Sequence, residues 1–182
     1  MKTRMRTLVV ICGLTVALVA GAAEAATLRY FNYEPDSDSA RYRTQDVTLV
    51  VRSGIFSSRV LQLFRKRAAP FKLHPPGPGF SGSSLKAALP DDVDPRELSL
   101  YAVDEKQGAP FANGACKGAA RAWLALTPVK ADRDLTIFVL TRDSASGALA
   151  LCETLAYRWR AEWQTSLQQA EQNEELGPSN SH

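Results

Sequence analysis

Histidine is nearly absent from this sequence: among 182 residues there are two, His74 in a proline-rich stretch and His182 at the C-terminus. Catalytic triads and Cys-His dyads depend on a histidine base. Such a site would therefore depend on His74 alone, and no cysteine or serine stands at a recognisable spacing from it. We interpret His74 as a solvated loop residue.

Glycine-rich nucleotide motifs are also missing. Gly108 and Gly114 stand one residue too far apart for a P-loop, and Cys116-Lys117 does not supply the Gly-Lys-Ser/Thr ending. No dinucleotide fingerprint and no internal repeat of solenoid length is present. We therefore predict a protein without a nucleotide or any other cofactor.

Two serine motifs approach those of hydrolases. The stretch 79–83 resembles G-x-S-x-G, but Ser83 replaces the final glycine and the stretch lies in a Pro/Gly-rich loop. Ser83 and Lys86 match the S-x-x-K of penicillin-recognising enzymes, yet the companion K-T-G is missing and the chain is too short for that fold. A small serine hydrolase, acting through Ser81 or Ser83 with Lys86 or His74, is the less favoured alternative to a non-catalytic protein.

Two acidic stretches, 36–39 and 91–94, offer the carboxylate oxygens that calcium prefers. An EF-hand loop would need a ligand at Ala40 and a glycine at Arg41, so the first stretch fails that pattern. We interpret both stretches as polar turns and predict no metal site. A looser calcium site is the alternative.

The first 25 residues are typical of a cleavable secretory signal peptide. Basic residues precede the apolar block 8–20, and Ala23-Glu24-Ala25 forms a cleavage site. The block falls short of the ~20 apolar residues that cross a bilayer, which favours cleavage before Ala26 over an uncut anchor. We expect a periplasmic or secreted protein with no stable membrane span after cleavage.

Cleavage changes both the charge and the cysteine count. The chain has 22 Lys and Arg against 19 Asp and Glu, and loss of three basic residues and one acidic residue leaves 19 against 18. A nearly neutral mature protein gives no support for a nucleic acid partner. The two cysteines that remain, Cys116 and Cys152, predict a disulfide. On the chain-entropy model it would stabilise the fold by about 4 kcal/mol.

The mature sequence predicts a mainly β fold: a single domain over 26–170, built as a small β-sandwich or barrel of about six or seven short strands, followed by a disordered polar tail over 171–182. Strands are expected at 27–33, 46–52, 98–103, 122–129, 135–141 and 148–160, and the last three form a meander. The segment Ile55–Arg67 suits a helix or a strand, and we assign it to a strand. We expect an extended loop over 70–82, a helical turn at 85–89 and a candidate helix over 161–170.

The aromatic residues allow two interpretations, core packing or a carbohydrate or peptide groove, and the faces on which they lie decide between them. They are Tyr30, Phe31, Tyr33, Trp123, Tyr157, Trp159 and Trp163.

Export, one disulfide and the lack of a catalytic set favour a non-catalytic β-domain that binds a protein or another macromolecule of the cell envelope. Loops on a rigid β scaffold commonly carry binding. The candidate sites are the loop 70–82 with Phe80, and the basic edge Arg65, Lys66 and Arg67. The alternative within the same class is an inhibitor or immunity protein that blocks an envelope enzyme.

Overall fold

Eight antiparallel strands close into a barrel, in which each strand pairs with its neighbours in sequence and the last pairs back with the first. This computed structural model describes residues 27–54, 57–66 and 68–166. The predicted signal peptide, Arg67 and the predicted tail lie outside these residues. The mainly β class and the barrel alternative are confirmed, with more strands than the sequence predicts.

The elements of the fold, in chain order, are β1 Thr27–Pro35, α1 Asp38–Arg43, β2 Val47–Ser53, β3 Ser58–Arg65, β4 Ala68–His74, α2 Gly82–Ala88, a 3-10 turn Pro95–Glu97, β5 Ser99–Val103, α3 Glu105–Ala115, β6 Trp123–Leu126, β7 Leu135–Arg142 and β8 Leu149–Ser166. The ambiguous segment 55–67 therefore contains a strand, as predicted. The meander of β6, β7 and β8 is confirmed.

Alternate side chains along each strand point into the barrel, because successive residues of a strand face opposite sides. The largest fully buried side chains of the interior are Tyr33, Tyr157, Phe31, Phe71, Leu49, Leu63, Leu124, Leu126, Leu135, Ile137 and Leu155. These large apolar groups fill the barrel and supply most of the hydrophobic stabilisation.

Strand β4 corrects the prediction of an extended loop over 70–82. Pro70 lies within β4, at a point where the register with β3 is irregular: Leu63 pairs with Phe71 and Arg65 pairs with Ala68. Proline is tolerated in a sheet at such an irregularity, because the ladder needs no N–H donor at that position and proline has none. The rest of the predicted loop, 75–81, runs outside regular structure as expected.

Strand β8 corrects the candidate helix over 161–170, because the described part of that segment, 161–166, continues the strand. Its pairing with β1 runs from Tyr157 opposite Pro35 to Ser166 opposite Thr27. β1 pairs with β8 along the whole of this segment, so a ladder on that side holds 161–166 as a strand and not as a helix.

Helices α1 and α3 are not predicted by the sequence. They form the β1–β2 and β5–β6 connections. These two connections lie at the same end of the barrel, because the strands alternate in direction. Ala40 of α1 and Phe111, Ala112 and Ala115 of α3 pack onto the interior core. The two helices therefore cover one end of the barrel.

The predicted disulfide is confirmed: Cys116, which ends α3, is joined to Cys152 on β8. The bond ties the covering helix to the barrel wall. None of the helices in the described part of the chain has the length and apolar character needed to span a membrane.

Helix α2 covers the outside of the barrel and confirms the predicted helical turn. Ser81 and Ser84 form a reciprocal capping box at its start. Its side chains join a second apolar cluster on the outer face of β6 and β7, made of Leu85, Leu89, Trp123, Ala125, Phe138 and Leu140.

Candidate functional site

A groove of about 1020 Å³ runs along the outer surface beside the irregular loop 76–80. Its other walls are the segment 116–121, which follows α3, and residues 141–144 at the turn between β7 and β8, while Trp123 of β6 also lines it. We call it the Pro/Gly groove. It brings the predicted binding residue Phe80 together with one half of the disulfide.

A cation that packs against two contacting aromatic rings forms one side of this groove. The Arg142 Cζ atom lies 4.6 Å from the centroid of the Phe80 ring and 5.8 Å from that of Trp123. The two ring centroids are 5.4 Å apart, with a tilt of 56°. Contacts of this kind stabilise by about 0.5–1 kcal/mol each at exposed sites, so the three side chains hold one another in place.

The loop is also fixed through its backbone. Arg142 Nη2 donates to the Gly79 carbonyl at 2.8 Å and Nη1 donates to the Gly147 carbonyl at 3.1 Å. Trp123 Nε1 donates to the Pro76 carbonyl at 3.4 Å. At Gly79 φ is +87°, and a Cβ there would lie 3.3 Å from Arg142 Nη2, so this position requires glycine. The groove wall is therefore pre-formed.

Positive charge predominates along the groove. Lys117, Arg121 and Arg142 line it, against one carboxylate, Asp143. Asp143 accepts hydrogen bonds from the backbone and hydroxyl of Ser146 and from the Ala145 backbone, and these bonds lower the pKa of Asp143. The Asp143 carboxylate is therefore ionised, and its hydrogen bonds are made within its own turn.

The two remaining groove cations differ in their contacts. Arg121 forms an ion pair with Glu105 of α3. Lys117 is exposed and takes part in no ion pair within the described ranges. Lys117 is therefore the groove cation best placed to meet a ligand.

The two described residues of the predicted basic edge, Arg65 and Lys66, contact different partners. Arg65 turns toward the covered end of the barrel, where its Cζ lies 5.0 Å from the Phe71 ring centroid and 5.7 Å from that of Phe111. Lys66 lies 3.5 Å from Asp46, and Arg67 is outside the described residues. Arg65 thus faces the covered end of the barrel, and Lys66 is paired with Asp46.

The Arg65 guanidinium is partly buried, unlike a side chain on an exposed edge. Its Nη2 donates to the Ala69 carbonyl at 2.8 Å, whereas its Nε is buried without a hydrogen-bond partner in the part of the chain described. Burial lowers the pKa of this guanidinium. Arg65 lines a smaller groove of about 510 Å³ with Tyr42 and Phe111, separate from the Pro/Gly groove.

The serine motifs are used for structure. Ser83 and Lys86 line one pocket of about 590 Å³. The Lys86 ammonium donates to the carbonyl of Asp91 at 2.6 Å and to that of Val93 at 3.1 Å. The Ser83 hydroxyl lies 2.9 Å from that of Ser81. The lysine that would activate a serine thus fastens the loop after α2.

The remaining polar candidates also have local partners. His74 Nε2 lies 3.6 Å from Asp104, the N-cap of α3. In the first acidic stretch, Asp36 pairs with Arg158 at 2.6 Å and Asp38 pairs with Arg41 at 2.7 Å. Over the described ranges, no group of three or more histidine, cysteine or acidic side chains is arranged to hold a metal ion.

The role of Arg142 is not visible in the sequence. Arg142 lies 63 positions from Gly79, whose carbonyl it binds. In the sequence it stands where a strand runs into a predicted hairpin turn, which gives no indication of this contact. Only the Pro/Gly loop itself indicates that some side chain of the barrel has to pack against it.

Comparison of the chain with family models, with curated proteins and with solved structures finds no match. The functional interpretation therefore depends on the chemistry of these surfaces.

Proposed function

We propose that the protein is an exported, non-catalytic β-barrel domain that binds another protein of the cell envelope, whose extended acidic segment lies in the Pro/Gly groove. The observation that carries this proposal is the pre-formed wall of Phe80, Trp123 and Arg142 beside the exposed cation Lys117. Pre-formed walls lose little conformational entropy when a partner binds.

The groove chemistry favours an acidic, extended occupant. Its walls offer apolar ring surface and positive charge, which complement carboxylates spaced along a chain with small or apolar side chains between them. Extended segments suit an open groove, because they present their side chains without needing a deep cavity.

Export is supported by the bond between Cys116 and Cys152. Structural disulfides persist in oxidising compartments and are rare in the reducing cytosol. The bond lies beside the groove, since Cys116 is one of its lining residues. In the reduced protein, the segment after α3 would lose its attachment to β8.

A non-catalytic role is supported by the contacts of the candidate nucleophiles. Lys86 is held by two backbone carbonyls, and Ser81 is committed to the cap of α2. General base catalysis requires the base within hydrogen-bond reach of the group that it deprotonates. An acylating or phosphonylating probe is expected to leave Ser81 and Ser83 unlabelled.

The inhibitor alternative requires a loop that projects into the cleft of an enzyme. Loop 76–80 is instead held against the barrel through the carbonyls of Pro76 and Gly79. A loop held down in this way forms the side of a groove, which favours receiving a segment over plugging a cleft.

The test compares two exposed lysines that differ in position only. The probes are a fluorescent decapeptide that alternates glutamate with alanine, and the same peptide with lysine in place of glutamate. We expect the acidic peptide to bind, and Lys117→Glu to weaken that binding about tenfold, or about 1.4 kcal/mol. Lys130→Glu, on the β6–β7 connection, is the charge-matched control and is expected to leave binding unchanged.

Photo-crosslinking at the same two positions then identifies the cellular partner. A photo-crosslinking residue at position 117 is expected to capture an exported protein through an acidic segment, and the residue at position 130 is not. Equal binding of the acidic and basic peptides, or equal effects of the two lysine substitutions, would overturn the proposal.

A further inference from the structure

The predicted aromatic set divides into two groups by the face on which each residue lies. Phe31, Tyr33 and Tyr157 belong to the barrel interior, and Trp159 packs against it. Tyr30 and Trp163 lie on the outer face. Their rings stack with centroids 5.5 Å apart and an interplanar angle of 2°, and Trp163 is 44 % exposed.

Strand pairing extends this outer aromatic pair into a row across five strands. The row consists of Trp163, Tyr30, Val50, Gln62 and Lys72, from β8, β1, β2, β3 and β4 in that order. Residues directly opposite on neighbouring strands face the same side. With strands spaced by about 4.8 Å, the row is about 19 Å long.

Neighbouring rows on the same face add two arginines and a phenylalanine. Arg52 lies directly opposite Arg59, and Phe64 lies opposite Thr48. Phe64 is 40 % exposed. Rows on one face are separated by about 7 Å, so Trp163, the two arginines and Phe64 belong to one continuous surface. We call this surface the aromatic–basic face.

The charge of this face is of one sign. Arg52, Arg59 and Lys72 are exposed and form no ion pair among the described residues, and the three rows contain no carboxylate. Like charges directly opposite each other in a sheet destabilise it. An anionic ligand across the two arginines would remove this repulsion.

Among the residues that the structure describes, no strand covers one side of the Trp163 indole. β8 pairs with β7 only as far as Tyr157, opposite Leu135. At Trp163 the strand has β1 on one side, where Tyr30 covers one face of the indole, and no described strand on the other. An open, rigidly stacked ring offers a flat apolar surface of the kind on which the C–H face of a sugar ring packs.

We propose that the aromatic–basic face binds an anionic polysaccharide, whose sugar rings stack on Trp163 and Tyr30 while its acidic groups pair with Arg52, Arg59 and Lys72. Two observations select this occupant: a parallel, stacked pair of aromatic rings on the outer sheet surface, and exposed cations in the same row or the adjacent one. A polymer suits the length of the face. This site is separate from the Pro/Gly groove, so it goes beyond the proposed function.

The experiment measures mobility of the purified, disulfide-bonded protein in native gels that contain alginate, polygalacturonate or neutral dextran. Retardation by both acidic polymers, with none by dextran, is expected. The substitutions Arg52→Glu with Arg59→Glu, and separately Trp163→Ala, are expected to weaken the apparent affinity for alginate at least tenfold. Retardation is expected to fall as salt is added, since exposed charges are screened.

Matched controls separate this face from general effects of charge and aromatic content. Lys130→Glu with Arg133→Glu makes the same change in charge on the β6–β7 connection, and Tyr42→Ala removes an aromatic side chain that is 82 % exposed on α1. Both are expected to retain wild-type affinity. The arginine double variant has only exposed side chains changed, so it keeps the test valid if Trp163→Ala unfolds; circular dichroism confirms folding.

Three results would overturn the proposal. The first is a lack of retardation by both acidic polymers, and the second is equal weakening by the control and test variants. The third is that Arg52→Glu with Arg59→Glu abolishes binding to vesicles of anionic phospholipid, or self-association in sedimentation, while leaving alginate binding intact. That result would assign the face to a membrane surface or to a second copy of the chain.

Discussion

Two buried tyrosines of the barrel interior have opposite hydroxyl environments. Tyr33 is 0 % exposed and Tyr157 is 1 % exposed. The Tyr157 hydroxyl lies 2.6 Å from the Thr44 hydroxyl. The Tyr33 hydroxyl is buried without a hydrogen-bond partner in the described part of the chain. The same substitution at the two positions therefore has opposite expected effects.

Tyr33→Phe is expected to raise the free energy of unfolding by about 1 kcal/mol, because it removes a buried hydroxyl without a partner, which costs about 1–3 kcal/mol. The small void that the oxygen leaves offsets part of that gain. Tyr157→Phe is expected to lower the free energy by about 1 kcal/mol, since it breaks a bond between neutral hydroxyls and leaves Thr44 with fewer partners. The two variants should differ by about 2 kcal/mol.

Guanidinium chloride unfolding at neutral pH, followed by tryptophan fluorescence with the disulfide intact, measures this difference. Thermal unfolding is a second measurement: a change of 1 kcal/mol in the free energy of unfolding shifts the melting temperature by about 2–4 °C for a domain of this size. If Tyr33→Phe destabilised the protein as much as Tyr157→Phe does, the Tyr33 hydroxyl would have a partner, and the reasoning would be refuted.

Alkaline pH provides an independent measurement on the same side chains. Burial raises the pKa of both Tyr33 and Tyr157 above the usual value for tyrosine. A raised folded-state pKa gives stability that is present below about pH 10 and lost as the pH rises further, because the unfolded chain releases the proton first. The loss is about 1.4 kcal/mol per pH unit for each tyrosine. Removing both hydroxyls should flatten the stability profile above about pH 10. An unchanged slope, or tyrosinate absorbance before unfolding that the double variant lacks, would contradict the assignment.

Two further predictions concern α3 and its attachment. Replacing Cys116 and Cys152 by serine is expected to lower the free energy of unfolding by up to about 4 kcal/mol, measured by denaturant titration, and a loss below about 1 kcal/mol would show that the bond adds little. Gly108→Ala is expected to destabilise by about 1–3 kcal/mol, since the new Cβ would overlap the Val103 side chain. Gly114→Ala in the same helix is the control and should be neutral or stabilising by up to about 1 kcal/mol, because that position is exposed and its Cβ would meet Arg43 Nη1 at an ordinary 3.5 Å.

The strands and the disulfide are the parts of this fold that the sequence specifies locally. Residues 135–142 and 149–160 carry strand-forming side chains on both sides of a Ser/Gly turn, so their pairing as a hairpin follows from short-range patterns. The pairing of Cys116 with Cys152 follows from elimination, because removal of the predicted signal peptide would leave these two cysteines.

Helices α1 and α3 depend on tertiary packing, and that is why they are not predicted. Ser37 serves equally in a polar turn and as the N-cap of α1, because the same side-chain hydrogen bond suits both. Helix α3 contains Gly108, Pro110 and Gly114, which disfavour helices in isolation. It forms because Gly108 allows close approach to Val103 and the neighbouring apolar residues close the barrel end.

The site is predicted in part for a similar reason. Phe80 lines the Pro/Gly groove, and its role in binding stays a prediction. The residues that fix it, Trp123 and Arg142, come from strands far away in the sequence. The basic edge stays a prediction: Arg65 and Lys66 contact different partners, and Arg67 lies outside the described residues. Arg65 ends strand β3 facing inward, and its neighbour Lys66 begins the turn facing Asp46.

Closure of the barrel gives its outer surface two unlike parts. The part formed by β5, β6 and β7 is covered by α2 and bordered by the Pro/Gly loop, which bury its apolar residues. The part formed by β8, β1, β2, β3 and β4 has no such cover among the described residues, and a solvated sheet face is ordinarily polar. Here it exposes an indole and places Arg52 opposite Arg59, two features that lower stability and solubility in the unbound protein. The proposed ligand on this face would cover the exposed indole and offset the repulsion between the two arginines. Because the two proposed sites lie on different strands, we expect occupation of one to leave the other open, so that both ligands bind at once.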